Sequence, residues 1–207
     1  MSAATEFLII RHGETDWNRE QRFQGQLDVP LNATGQAQAQ ALAARLAGER
    51  WPVLVASDLT RARQTAAALA QAWAHDEVPT VPGLREQAFG VLEGLDAPTA
   101  QARHAAEWQA WLRYDADYAL PGGGESNRDF SARVLAALAG LAERHAGGRV
   151  AVLSHGGVLD MLWRAAQGEP LSGPRRCLIP NTGLNRLRWQ DGRLSVLAWG
   201  DAEHWPG

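Results

Sequence analysis

The apolar positions of this chain fall into two kinds of pattern. Three short uninterrupted runs, at 7–10 (Phe-Leu-Ile-Ile), 53–56 (Val-Leu-Val-Ala) and 150–153 (Val-Ala-Val-Leu), each give way at once to a polar turn. Runs of this length without alternation predict strands buried on both faces, as in a parallel sheet covered by helices. Between them the period is helical. Ala39, Leu42, Ala43 and Leu46 predict a helix opening at Thr34-Gly35 and ending near Gly48, and 59–73 predicts a second, with Ser57-Asp58 placed to cap it. Trp108, Trp111 and Leu112 predict a helix over 98–114. Pro121-Gly122-Gly123-Gly124 breaks it, and Ser126 with Asp129 caps a longer helix running toward His145. Another helix begins near Val158.

Weaker signals complete the pattern. Residues 78–81, carrying Pro79 and followed by Pro82, predict only an edge strand. Residues 183–189 and 193–199, separated by Gln190-Asp191-Gly192, predict a hairpin with an Asp-Gly turn. The polar stretch 19–32 has no period, and a loop of that length tends to be functional. Alternating strands and helices closed by a hairpin place the chain in the α/β class with a mostly parallel sheet. Nothing in the 207 residues divides them, so a single domain over 1–207 is expected.

Composition narrows the class of partner. The apolar share of 45% with 21% charged residues is that of an ordinary globular protein. A formal charge of −3 argues against a nucleic-acid binder, so any anion site must be local. The single cysteine, Cys177, can form neither an internal disulfide nor a Cys-rich zinc site and is expected as a small buried thiol. Most of the nine tryptophans should serve the core or line a pocket. Only six residues precede the first strand and no apolar run reaches the roughly 20 residues of a membrane span, so a cytoplasmic protein with no membrane partner is expected. Neither charge nor composition isolates a self-complementary surface, and no oligomeric state is assigned.

Candidate chemistry collects at strand ends. In open α/β sheets ligands bind at the carboxyl edge of the strands, which is where Arg11-His12-Gly13 and Ser154-His155-Gly156 would emerge. If the first two strands are parallel neighbours joined by a right-handed crossover, Arg61 in the first turn of the helix at 59–73 reaches the same edge, and the helix N-terminus adds its positive field. Taken singly, each of these is more often an incidental turn or surface residue. Their convergence fits phosphoryl transfer, where most of the work is positioning and charge neutralisation. Arg11 and Arg61 can each present a planar fork to a phosphate, and His155, if protonated, a third donor. His12 could attack or protonate, and an attacking nitrogen must be neutral and oriented through the other ring nitrogen.

The chain resembles the histidine phosphatase superfamily, the phosphoglycerate mutase-like proteins. The resemblance rests on Arg11-His12-Gly13-Glu14-Thr15, Gln24-Gly25-Gln26-Leu27-Asp28-Val29-Pro30-Leu31-Asn32 and Ser57-Asp58-Leu59-Thr60-Arg61-Ala62-Arg63-Gln64-Thr65-Ala66. It continues through Leu84-Arg85-Glu86, Phe89-Gly90, Glu93-Gly94, Pro121-Gly122-Gly123, Glu125-Ser126 and Ser154-His155-Gly156, in family order. It implies a phosphoglycerate mutase-like, three-layer α/β/α fold in which helices flank a mostly parallel central sheet. It also implies that His12 is the phosphohistidine nucleophile, that Arg11, Arg61 and His155 bind the phosphate with help from Asn18 and the Gly156 backbone, and that Glu86 is the proton donor. A carboxyl beside a bound dianion holds its proton more readily and can deliver it to a leaving oxygen. No metal and no other cofactor is implied. Gln24 and Gly25 are the expected substrate contacts in the 19–32 loop, and Glu93 is expected to hold its turn.

For Gly122 to Gly124 a hinge is favoured over a phosphate cradle, since no Lys-Ser/Thr follows as in a P-loop. This loop has one glycine more than the family pattern. Trp108, Trp111, Tyr114 and Tyr118 are expected mostly in packing, and one facing the pocket would favour substrates with an apolar or aromatic group beside the phosphate. The family divides into mutases and phosphatases. Mutases carry an Arg-His/Tyr-Tyr-Gly stretch after the acid and adjacent arginines for the substrate carboxylate. Here Gln87-Ala88-Phe89-Gly90 follows the acid, and 95–120 holds only the isolated Arg103 and Arg113. A metal-independent phosphatase acting on small-molecule phosphate monoesters is therefore favoured. A cofactor-dependent phosphoglycerate mutase and a non-catalytic phosphate- or phosphoprotein-binding module stand as the alternatives.

Overall fold

Five strands form one sheet: β1 (Thr5–Arg11), β2 (Val53–Ala56), β3 (Arg149–Ser154), β4 (Leu184–Gln190) and β5 (Arg193–Asp201), in the spatial order β2-β3-β1-β4-β5. A computed structural model describes residues 3–205. β2, β3 and β1 pair in parallel, β4 runs antiparallel to both of its neighbours, and so four of the five strands point the same way. The apolar runs are continuous because both faces are covered. Leu8, Ile10, Ala151 and Leu153 pack with α2 (Ala33–Leu46) and α3 (Thr60–Trp73), whereas Phe7, Ile9, Val150 and Val152 pack with α6 (Asn127–Arg144) and α7 (Gly156–Gln167). The result is the expected three-layer α/β/α arrangement. Among the described residues no helix is long and apolar enough to cross a membrane.

The first two strands are parallel but not neighbours, because β3 lies between them. β2 has only four residues and its Val53 is half-buried, whereas β1 and β3 are buried along nearly their whole length, so they take the centre and β2 the outside. The expected strand at 78–81 is reduced to one bridge between Thr80 and Ala56, since Pro79 and Pro82 offer no N–H to a ladder. The terminal hairpin forms as expected, with both Asp191 (φ +49°) and Gly192 (φ +74°) in the left-handed region that a tight two-residue turn needs.

Helix starts show where sequence signals were diverted. α6 is capped by Ser126, whose oxygen accepts from Asp129 N at 3.1 Å, as expected. α3 is not capped by Ser57 or Asp58, whose main partners are described below; its first N–H, that of Thr60, donates instead to Asp28 Oδ1 at 2.7 Å. The expected 98–114 helix is two helices, α4 (Ala97–Arg103) and α5 (Ala105–Leu112), broken at His104, whose ψ of 52° is not helical. The break aims Trp108 and Trp111 at Phe23, with ring centroids 6.2 and 5.0 Å away. Inside the polar 19–32 region and just before it, only one short turn, α1 (Asp16–Arg19), is helical. Cys177 is half-buried rather than enclosed, and burial together with Asp160 pushes its thiol up to about 11.

Two glycines let α2 touch the turn that follows β1. A Cβ on Gly35 would lie 2.0 Å from the Glu14 carbonyl oxygen, and one on Gly13 would lie 2.5 Å from that of Gly35. Backbone cannot yield there as a side chain could. Gly35→Ala should therefore cost about 1–3 kcal/mol, read as a lower urea midpoint at unchanged slope. Gly48→Ala, which would meet nothing within 4 Å, should change stability by less than about 0.5 kcal/mol. Equal effects of the two substitutions would show that the close approach is not what constrains position 35.

Candidate active site

Strand register assembles the site. Arg11 pairs with Ser154 and Ala56 with Leu153, so His12, Ser57 and His155 leave the sheet side by side, tied by His12 N to Ser154 O and Ser57 N to Leu153 O, both 2.9 Å. From this edge α2 follows β1 onto one face while α7 follows β3 onto the other. The crevice of an open α/β sheet lies at such a divergence.

His12, 3% exposed, is held by its own backbone neighbour. Its Nδ1 lies 2.7 Å from the Gly13 carbonyl oxygen, which can only accept, so Nδ1 carries the proton and Nε2 keeps a lone pair. Burial first, then Arg61 and Arg11, push its pKa well below the usual histidine range. The imidazole is therefore neutral, as a nucleophile must be. His155 is fully buried, its ring centroid 5.3 Å from that of His12, and its Nε2 is 2.8 Å from Ser57 Oγ. Ser57 Oγ accepts from Leu59 N at 3.4 Å, which leaves its own proton for Nε2 and assigns the ring hydrogen to the unpartnered Nδ1. Burial, Arg61 and His12 push the His155 pKa well down, so it contributes a neutral ring rather than the cation considered above.

The arginines are anchored through carbonyls. Arg61, fully buried in the first turn of α3, donates Nη1 to Leu27 O (2.9 Å) and Nη2 to Gly25 O (2.8 Å), and its Nε has no partner. Arg11 donates Nη1 to Ile179 O (2.7 Å), and its buried Nε is likewise unpartnered. Burial and the nearby Arg175 lower the Arg11 pKa to about 10, which leaves it charged at neutral pH. Asn18 accepts from Thr15 N through Oδ1 at 3.1 Å in a capping box, so its amide NH2 is left as the outward donor.

Glu86 is fixed on both oxygens, Oε2 accepting from Gly157 N and Oε1 from Gln87 N, each at 3.0 Å. Its backbone is gripped by Arg133, which donates to the carbonyls of Gly83 and Arg85 (both 3.0 Å) and Glu86 (3.2 Å) while its fork closes on Glu125. Asp58 takes Arg85 as a bidentate partner, which explains its absence from the α3 cap and holds its carboxyl below the usual range. Glu93 holds its turn as expected, accepting from Gln26 N (3.0 Å) and Phe89 N (2.9 Å).

Arg11, His12, Asn18, Gln24, Gly25, Arg61, Glu86 and Gly156 line one cavity of about 280 Å³, and the His155 ring stands 5.3 Å from that of His12, tilted by 58°. Gln24 is buried with its Oε1 unpartnered. Gly25 serves chiefly through its carbonyl and through its missing side chain, since a Cβ would sit 1.9 Å from Glu93 Oε1. Gly122 to Gly124 line neither this cavity nor the next, and Gly122 and Gly123 turn with φ of +77° and +87°. A second cavity of about 340 Å³ shares Glu86, Phe89 and Arg175 with the first. Trp111, Tyr114 and Tyr118 line it, and Trp108, Trp111 and Tyr118 also pack against Leu92, Ala100 and Leu120, so packing holds for most of the four as expected while three of them also reach the pocket.

Sequence reasoning missed Ser57, Gly157, Arg133 and Arg175. Ser57 carried a signal, an apolar strand ending at the same edge. Gly157 did as well, as the second glycine after His155; a Cβ there would lie 2.2 Å from Glu86 Oε1. Arg133 on a helix and Arg175 in a loop carried none.

The model of the histidine phosphatase superfamily (branch 1) matches residues 7–202, and the chain belongs to that family. It is 36% identical over 204 residues to a metal-independent phosphoserine phosphatase of Arabidopsis thaliana, covering 98% of this chain and 84% of that protein. It is 37% identical over 201 residues to phosphoglycerate mutase-like protein 4 of Arabidopsis thaliana, covering 96% and 86%. Among solved structures, mycobacterial glucosyl-3-phosphoglycerate phosphatase superposes with a TM-score of 0.83 at 31% identity, covering 95% of this chain and 99% of that one.

The two neutral histidines give a pH signature. Both folded-state pKa values lie below the usual 6.5. As pH falls below that value the unfolded chain takes up protons that the folded chain refuses, so stability is lost on acidification. The slope approaches about 1.4 kcal/mol per pH unit for each histidine. Urea titrations between pH 7 and 5 should show this loss, and His155→Asn should flatten it. An unchanged slope in the variant would mean that His155 is not held neutral.

Proposed function

We propose that this protein is a metal-independent phosphatase of small-molecule phosphate monoesters in which His12 is the nucleophile and Glu86 the proton donor. The observation that carries the reading is the set of buried N–H donors without protein partners around His12: Arg11 Nε, Arg61 Nε and His155 Nδ1. Leaving a buried donor unmet costs about 1–3 kcal/mol each, and a tetrahedral oxyanion would satisfy all three at once. The Asn18 amide and the N–H groups opening α7 at Gly156 add donors of the same sign.

In the first step His12 Nε2 attacks phosphorus, the ester P–O bond breaks, and Glu86 gives its proton to the leaving oxygen. In the second, water attacks the phosphohistidine, its proton goes to Glu86, the N–P bond breaks, and phosphate leaves with His12 neutral again. The lowered His12 pKa keeps its lone pair available, and the Nδ1 bond to Gly13 O stabilises positive charge on the ring while phosphorus is attached. A binding module has no use for this lone pair or for a carboxylate held on both oxygens. The names of the relatives, phosphoserine phosphatase and glucosyl-3-phosphoglycerate phosphatase, support a phosphatase over a mutase. In this reading residues 1–207 act as one domain in the cytoplasm.

Hydrolysis of an aryl phosphate in the presence of chelator tests the reading. The native protein should turn over, His12→Ala should not, and an acid-labile, base-stable phosphoprotein should be trappable on His12. Glu86→Gln should slow alkyl phosphates about 10²- to 10⁴-fold and aryl phosphates much less, because a phenolate leaves without a proton. Activity that disappears with chelator, or survives in His12→Ala, would refute the mechanism.

A further inference from the structure

If phosphate sits among Arg11, Arg61 and His155, the leaving oxygen lies beside Glu86, on the wall between the two cavities. The organic part of the substrate then extends into the second cavity. Most of the charge there is already matched: Asp160 accepts from Arg164 Nε at 3.1 Å, and Glu125 is held by Arg133 at 2.6 Å. Arg175 is different. It lines both cavities, its side chain is 44% exposed, and among the described residues no hydrogen bond joins its guanidinium to the protein. The nearest acid, Asp160, is 3.9 Å away and already shared with Arg164.

The loop that carries Arg175 is nevertheless built firmly. Arg164, 4% exposed on α7, donates to the carbonyls of Pro170, Ser172 (3.2 Å), Gly173 and Pro174 (both 2.9 Å). Gly173 N donates to Tyr114 O at 3.2 Å, which ties the same loop to the aromatic wall. At its tip the fork stands close to the phosphate site: a Cβ on Gly156 would lie 3.6 Å from both Arg175 Nη1 and Arg11 Nε. A buried arginine thus holds four carbonyls of the loop so that a second arginine, with only a long contact to a shared acid, stands at the junction.

We propose that Arg175 reads the leaving group, selecting phosphate monoesters that carry a carboxylate a few bonds from the ester oxygen. A planar fork with free donors matches a carboxylate bidentately. The phosphate does not need it, having its own donors in Arg11, Arg61, His155, Asn18 and Gly156. The aromatic wall of Trp111, Tyr114 and Tyr118 takes the remainder of the leaving group. This assignment rests on the phosphatase reading given above and answers the missing cationic pair at 95–120, since the counter-charge arrives from a later segment of the chain.

Matched substrates test it: O-phosphoserine against O-phosphoethanolamine, and 3-phosphoglycerate against glycerol 3-phosphate, each pair differing at the carboxylate. The native protein should favour the carboxylate member by about tenfold or more in kcat/KM. Arg175→Gln should erase that preference, mainly through KM, with little change for the other member, and Arg175→Lys should keep part of it. A native protein without the preference, or an Arg175→Gln that slows both members alike, overturns the assignment. Aryl phosphate turnover in the same preparations reports the folded phosphatase. If it is absent from the native protein, the phosphatase reading fails and this one with it; if it is present, the failure is that of Arg175 alone.

Discussion

The structure depends on burying two guanidinium groups at a sheet edge without giving either a carboxylate partner. Arg61 is enclosed and hydrogen-bonded to the carbonyls of Gly25 and Leu27, and Arg11 to that of Ile179, while carboxylates such as Glu86 act on both only through space. A carboxylate in contact would neutralise the pocket, whereas carbonyl dipoles stabilise the cation and leave its charge directed at a ligand. That choice dictates much of the chain around it. The 20–32 loop must fold over α3 to present Gly25 and Leu27, and the 168–183 connection must return past β1 to present Ile179. The same burial keeps both histidines neutral, so one concentration of positive charge supplies the anion site and the reactive form of His12.

Precision comes from ion pairs that hold the surrounding backbone without touching Arg11 or Arg61. Arg133 with Glu125 grips the backbone that carries Glu86, and Arg85 with Asp58 locks the same segment from the other side. Glu93 joins the 20–32 loop to the turn at Phe89. The acids near the pocket are thus either paired or engaged in holding backbone, and Glu86 is the carboxylate that lines the cavity around His12. Close backbone approaches at Gly13, Gly35 and Gly157 are the steric counterpart, since each admits a neighbour where a methyl would stand.

Much of this was legible in the residues. The three apolar runs predicted buried strands, and each does end at the site. His12, Arg61 and His155 were singled out by convergence on one edge, and they meet there, although β1 and β2 are not neighbours. The misreadings share a cause. Ser57-Asp58 resembles a helix cap, yet both side chains have stronger partners in space, His155 and Arg85. Helical periodicity runs through His104, but the chain breaks there to bring two tryptophans onto Phe23. Local propensity is worth a few tenths of a kcal/mol per residue, less than one buried contact, and gives way when the two disagree.

By itself the sequence determined most of the element types, the family and the class of chemistry, and it named the residues that the fold brings to one cavity, because apolar period and motif spacing are local properties that survive without coordinates. Only the tertiary structure decided strand order, the tautomer and neutrality of His12, the carbonyl anchoring of the arginines, and the arrival of Arg133 and Arg175 beside Glu86. Those depend on which segments, distant along the chain, exclude water from one another. Burial and hydrogen-bond partners are relations between such segments, and no single stretch of residues encodes them.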